Sequence, residues 1–249
     1  MYMNKKKMFS LAVVVIMIAI LSFSSLAWFS DVDKVTNNFT VDGGENEKPE
    51  EIFSLDVMEA VDADGDGDYD NDDATIGYDK DPNPKHEFTY EDILPGDMLL
   101  KRPQAKNTGA YPMYVRFKVT VDNAEDWEKM LDQYGYKLHD LLYNTDKTTK
   151  LTDSPNWTFA PAETVRENDK ITYVFYYNNV LDEGRTATLF GYVKIPGELT
   201  QNDMALFTEG KFQMVVTGEA VQAEHTGTNA QEAFAKVEGS GQALDQVSR

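Results

Sequence analysis

Residues 62–73, "DADGDGDYDNDD", hold seven aspartates in twelve positions, with glycine between them. Carboxylates at every second step suit a hard cation. A Ca²⁺ loop of twelve residues offers oxygen ligands from positions 1, 3, 5, 7, 9 and 12 and turns at a glycine in position 6. With Asp62 at position 1, the ligand positions are filled by Asp62, Asp64, Asp66, Asp68, Asp70 and Asp73, and Gly67 takes the turn. Asp73 is one methylene shorter than the Glu that chelates with both oxygens at position 12. The preceding "SLDVMEAV" alternates like a strand, so the expectation is a stand-alone calcium loop between strands, not a helix-flanked one. The alternative is a solvated acidic loop without an ion. Crowded carboxylates repel one another, and a bound Ca²⁺ relieves that repulsion. Affinity of the weak extracellular kind, about 10⁻⁴–10⁻³ M, is expected.

The other chemistry-bearing types give less. The chain has three histidines, His86, His139 and His225, far apart in sequence. A zinc protease places two histidines one helical turn apart with a glutamate between them. The nearest string is "HEFTY", where Tyr90 stands in place of the second histidine, and Pro82 and Pro84 nearby oppose a helix. There is no cysteine, and no serine lies in a nucleophile-elbow context. No catalytic residue is assigned, and the expectation is a protein that is not an enzyme.

Such residues need elements to hold them, and the apolar period is mostly two. "YVRFKVTV" (114–121), "KITYVFYY" (170–177), "TATLFGYVKI" (186–195) and "KFQMVVTGEAVQA" (211–223) are rich in Val, Thr, Tyr and Phe. "PGD", "NTG", "DEG" and "PGE" turn signals punctuate them. "IFSLDVMEAV" (52–61) and "NWTFAPA" (156–162) are shorter candidates. The predicted fold class is all-β, an antiparallel jelly roll or β-sandwich. One stretch, residues 123–142, spaces Trp127, Met130, Leu131 and Tyr134 by threes and fours behind Asn123. That pattern predicts a short helical insertion with Asn123 as its cap and the apolar residues in the core.

The first 27 residues differ from the rest. Lys5, Lys6 and Lys7 precede the apolar run "LAVVVIMIAILSF" and the small residues "SSLA". This is the layout of an export signal, cut between Ala27 and Trp28; a retained membrane anchor is the alternative. The whole chain has a formal charge of −20, and the leader carries three lysines and no acid, so its removal leaves the remainder more negative still. Such a chain repels nucleic acid and anionic membrane surfaces. Residues 28–42 form an N-terminal arm, 43–51 ("GGENEKPEE") a polar linker, 52–238 the main domain and 239–249 a flexible tail.

The junction "SSLAWFSDVDKVTNNFTVDG" resembles the mature N-terminus of the TasA/camelysin family, secreted proteins of Gram-positive bacteria processed by a SipW-type signal peptidase. The pattern is carried by Ala27, Trp28, Phe29, Ser30, Asp31, Asn38, Phe39 and, one residue late, Gly43. The likeness continues in "EDILPGDMLLKRPQAKNTGAYPMYVRFKV", "YYNNVLDEGRTATLFGYVKIP" and "GEAVQAEHTGTNAQEAFAKV". It covers most of the chain beyond the leader, with gaps at the aspartate loop and the helical insertion. The resemblance implies a jelly-roll subunit of extracellular biofilm-matrix fibres, in which one subunit's arm completes the sheet of the next. It implies a self-partnered, head-to-tail polymer at the cell surface, with matrix or cell-wall accessory proteins as further partners. Phe29, Val32, Val35, Phe39 and Val41 give this arm the apolar alternation of a donated strand. Two other readings are a monomeric surface adhesin or accessory protein of the same fold, its arm paired with its own sheet, and a camelysin-type metallo-endopeptidase.

Overall fold

A computed structural model describes residues 30–33, 53–61, 66, 74–77, 93–204, 213–224 and 226–239. The strands are β1 (Ser30–Asp33), β2 (Leu55–Val61), β3 (Ala74–Gly77), β4 (Met98–Leu100), β5 (Arg102–Asn107), β6 (Met113–Asp122) and β7 (Leu142–Tyr143). They continue with β8 (Trp157–Phe159), β9 (Val165–Glu167), β10 (Lys170–Tyr177), β11 (Thr186–Thr188), β12 (Tyr192–Lys194) and β13 (Met214–Gln222). Three antiparallel sheets result. The first runs β1-β13-β6-β10-β8, with β9 also on β10; the second runs β11-β5-β2-β3; the third runs β4-β12-β7.

Period-two sequences become strands whose alternate side chains face opposite ways. In β6, Met113, Val115, Phe117, Val119 and Val121 are buried in the main core. Leu55 and Val57 of the second sheet, Ala105 of β5 and Ala187 of β11 are buried in the same core, so the first two sheets share one hydrophobic interior. The predicted β-rich class holds. The strand over 170–177 has the predicted bounds, and those over 114–121 and 52–61 differ only at their ends.

Three expectations change. The continuous strand over 186–195 is two strands, β11 in the second sheet and β12 in the third. Leu189 N–H donates to Pro103 and Gly191 N–H to Tyr143, so the chain crosses from one sheet to the other between them. The candidate strand over 156–162 is extended only at β8 and then turns through a 3₁₀ segment, Pro161–Glu163.

The helical insertion is shorter than the periodicity implies. Helix α1 covers Ala124–Asp132 and buries Ala124, Trp127, Met130 and Leu131. It closes as a Schellman motif: Tyr136 N–H donates to Leu131, Gly135 N–H to Asp132, and Gly135 takes φ +75°. The rest of the segment holds a 3₁₀ turn, Leu138–Leu141. Asn123 does not cap with its side chain; it is itself left-handed, φ 52°. The cap comes instead from the β9–β10 turn, where the Asp169 carboxylate accepts Glu125 N–H at 3.0 Å and the Asp169 carbonyl accepts Ala124 N–H at 2.9 Å.

A short helix α2 (Gln201–Met204) precedes β13, and helix α3 (Ala230–Gly239) follows it. Helix α3 lies on the outer face of the first sheet. Ala230, Ala233, Phe234 and Val237 pack there with Tyr114, Val174, Tyr176 and Val221. Among the described residues, no helix is long and apolar enough to cross a membrane.

Candidate functional site

The β13 edge of the first sheet is where the predicted arm meets the rest of the chain. Strand β13 pairs along its length with β6, from Met214↔Val121 to Gln222↔Met113. Its other side takes β1, with Ser30↔Val221, Asp31↔Ala220, Val32↔Glu219 and Asp33↔Gly218. Among the described residues, strand β1 is thus an added outer strand, joined to the rest of its sheet through β13. Val32 is the one predicted arm residue within the described chain. Phe29, Val35, Phe39 and Val41 lie outside the described residues, as do Ala27 and Trp28 of the predicted cleavage site.

Two features fix the geometry of this edge. On its inner face, Gly218 lets β13 approach β2: a Cβ there would stand 2.6 Å from Val57 Cγ2 and 3.1 Å from Phe117 Cε1. On its outer face, Glu219 is 5% exposed and Arg116 2% exposed. Arg116 Nε donates to Glu219 at 2.5 Å, its Nη2 to Glu238 at 2.5 Å and its Nη1 to the Tyr176 hydroxyl at 3.2 Å. Lys118 Nζ reaches the second Glu219 oxygen at 2.6 Å, and the Tyr176 hydroxyl donates to Glu163 at 2.6 Å. Phe234 of α3 covers the guanidinium, its centroid 4.2 Å from Cζ. Burial opposes the Arg116 charge, but the Glu219 charge and the hydrogen bonds outweigh it and raise the pKa. Burial, then the bond to Glu163, raises that of the Tyr176 phenol.

The aspartate loop has a defined entrance and exit. Strands β2 and β3 pair antiparallel, and their last partners are Val61↔Ala74. Residues 62–73 are therefore the connection of a hairpin, as a loop between strands requires. Asp66 is exposed, in a bend. Asp62, Asp64, Asp68, Asp70 and Asp73 lie outside the described residues. Among the described residues, no group of three or more His, Asp or Glu is placed to hold a metal.

His139 is half-buried on the 3₁₀ turn after α1, its ring 4.9 Å from Phe159 and 5.2 Å from Tyr173. Its Nδ1 is buried without a hydrogen-bond partner among the described residues. Burial lowers its pKa, so the imidazole is neutral at pH 7. His86 and His225 lie outside the described residues.

Neither the Arg116 network nor α3 is among the sequence expectations, although α3 has a sequence signal. In "TNAQEAFAKV", Asn229 precedes Ala230, Ala233, Phe234 and Val237 at helical spacing, with Glu232 at the capping-box position. Asn229 Oδ1 accepts Glu232 N–H at 3.0 Å, and Glu232 accepts the Thr228 N–H at 3.0 Å and its hydroxyl at 2.7 Å. No family model, curated protein or solved structure matches the chain.

Proposed function

We propose that this chain is a secreted structural subunit of extracellular fibres, a jelly-roll protein that assembles by donating its N-terminal arm. The observation behind this reading is β1 on the β13 edge, joined to its sheet by one antiparallel pairing, which places the arm at a strand-accepting edge; a monomer whose arm stays on its own sheet has the same contact. A strand held in this way can leave its own edge, and the arm of a second subunit can take the same register opposite Glu219 and Gly218. Main-chain hydrogen bonds then supply affinity, and alternating side chains supply register. The contact is head-to-tail and does not close, so it propagates as a filament. The basic, apolar and small-residue order of residues 1–27 supports export, and the resemblance at the junction supports a place in a biofilm matrix or at the cell surface. The β2–β3 hairpin supports the second part of the proposal, that residues 62–73 bind Ca²⁺ as an accessory that stiffens the subunit.

Electron microscopy of negatively stained protein tests the assembly. The chain from Trp28 onward forms filaments, and a variant lacking residues 28–42 does not. Filaments from both remove the arm as donor; filaments from neither favour the monomeric surface protein. A camelysin-type endopeptidase ranks third, and casein cleavage lost both to a chelator and to His86→Ala would restore it.

A further inference from the structure

At the edge of the first sheet opposite β1, three walls enclose a cleft of about 560 Å³, within the range of small-ligand sites. The first wall is the turn 144–149 after β7. It is closed by Asn144 N–H to Thr149 (2.8 Å) and Lys147 N–H to Asn144 (3.0 Å). The Asp146 carboxylate accepts the N–H groups of Thr148 and Thr149, both at 2.8 Å, and the Thr149 hydroxyl at 2.7 Å. Gly191 lets the turn settle on the third sheet, since a Cβ there would meet Thr145 Cα at 2.8 Å.

The second wall is aromatic. Trp157 is buried, its ring 5.5 Å from Phe117 and 5.0 Å from half-buried Tyr177, and Asn156 beside it is exposed. The third wall is β11, at the end of the second sheet, where Trp157 Nε1 donates to the Thr188 carbonyl at 2.9 Å and ties the second and third walls together.

The lining carries hydroxyls and amides, one carboxylate and an aromatic surface, and no Lys, Arg or His among its described residues. A lining without a cation, on a chain of charge −20, favours a neutral ligand over a phosphate, a nucleic acid or a uronate. Hydrogen bonds from Thr149 and Thr148 hold the Asp146 pKa down at about 2, so its carboxylate is an anionic acceptor for hydroxyl donors. Because the walls are tied by their own hydrogen bonds, little ordering cost falls on binding. We propose that this cleft binds a short stretch of a neutral polysaccharide, with sugar hydroxyls on Asn144, Asp146, Asn156 and Thr186 and a sugar face against Tyr177. The subunit then grips glycan at the sheet edge away from the one that takes the arm.

Isothermal titration of the chain with cellotriose, chitotriose, maltotriose and tri-galacturonate tests this. At least one neutral trisaccharide binds with Kd of about 10⁻³ M or tighter, and tri-galacturonate does not. Asn156→Ala with Thr186→Ala, both exposed, weakens that binding about fivefold or more at unchanged Tm. No heat from any neutral trisaccharide at about 20 mM, equal binding of tri-galacturonate, or full binding by the double variant overturns the proposal. None of these results bears on filament formation, so the two proposals fail separately.

Discussion

Arg116 joins two glutamates, Glu219 on β13 and Glu238 on α3, and both its own side chain and that of Glu219 are buried. Removing one member of a buried pair costs more than the pair contributes, because the other loses compensation in a buried setting; here Lys118 still reaches Glu219, so the loss is partial. Arg116→Ala is therefore expected to lower stability by up to about 3 kcal/mol, below the cost of a wholly unpaired buried charge, seen as an earlier urea midpoint at unchanged slope. Arg116→Lys does not restore it, since an ammonium cannot serve Glu219, Glu238 and Tyr176 in one plane. A wild-type midpoint in Arg116→Ala would show the network to be idle. In the sequence Arg116 occupies an outward position of "YVRFKVTV" and looks solvent-facing. Its cover, Glu238, is 122 residues away, and no local pattern announces a contact at that separation.

Among elements, legibility followed how much of the pattern was local. Strands β6 and β10 declare themselves through their density of Val, Tyr, Phe and Thr, with alternation over the second half of β6, and they are central in their sheet. The division of 186–195 is hidden because the apolar alternation runs on through a change of sheet. The length of α1 is hidden because apolar residues past Gly135 keep helical spacing while serving a 3₁₀ turn. The aspartate loop was legible as a connection between strands, and the Val61↔Ala74 pair agrees. Its ligand role is open to a thermal scan. With Ca²⁺ at about 5 mM and the affinity of weak extracellular sites, stability rises by about 1–2 kcal/mol. Asp66→Asn reduces that rise, and Mg²⁺ at the same concentration does not reproduce it. A flat response to Ca²⁺ with no heat of binding would end the calcium reading.

At the scale of the whole molecule, composition and period were enough for a β-rich fold with a shared interior, because burying alternating faces requires sheets to be covered. They were not enough for the cover itself, since one layer over the first sheet is the helix α3. They also left open which strand would take the arm. That strand is β13, and the chain lays its own β1 on it.

Under the proposed assembly, this self-seated strand sets a clock. A tethered segment competes for its edge at an effective concentration far above that of free subunits in dilute solution, so an isolated subunit keeps its edge occupied and its donor engaged. Growth by strand donation then has to begin from a rare pair in which both have let go. Under the proposed assembly, light scattering of fresh subunits shows a lag, and sheared filament fragments abolish it. Instant growth without seeds would mean that β1 does not guard its own edge. With such a guard, subunits can accumulate at high concentration and still polymerise only where a growing tip already exists.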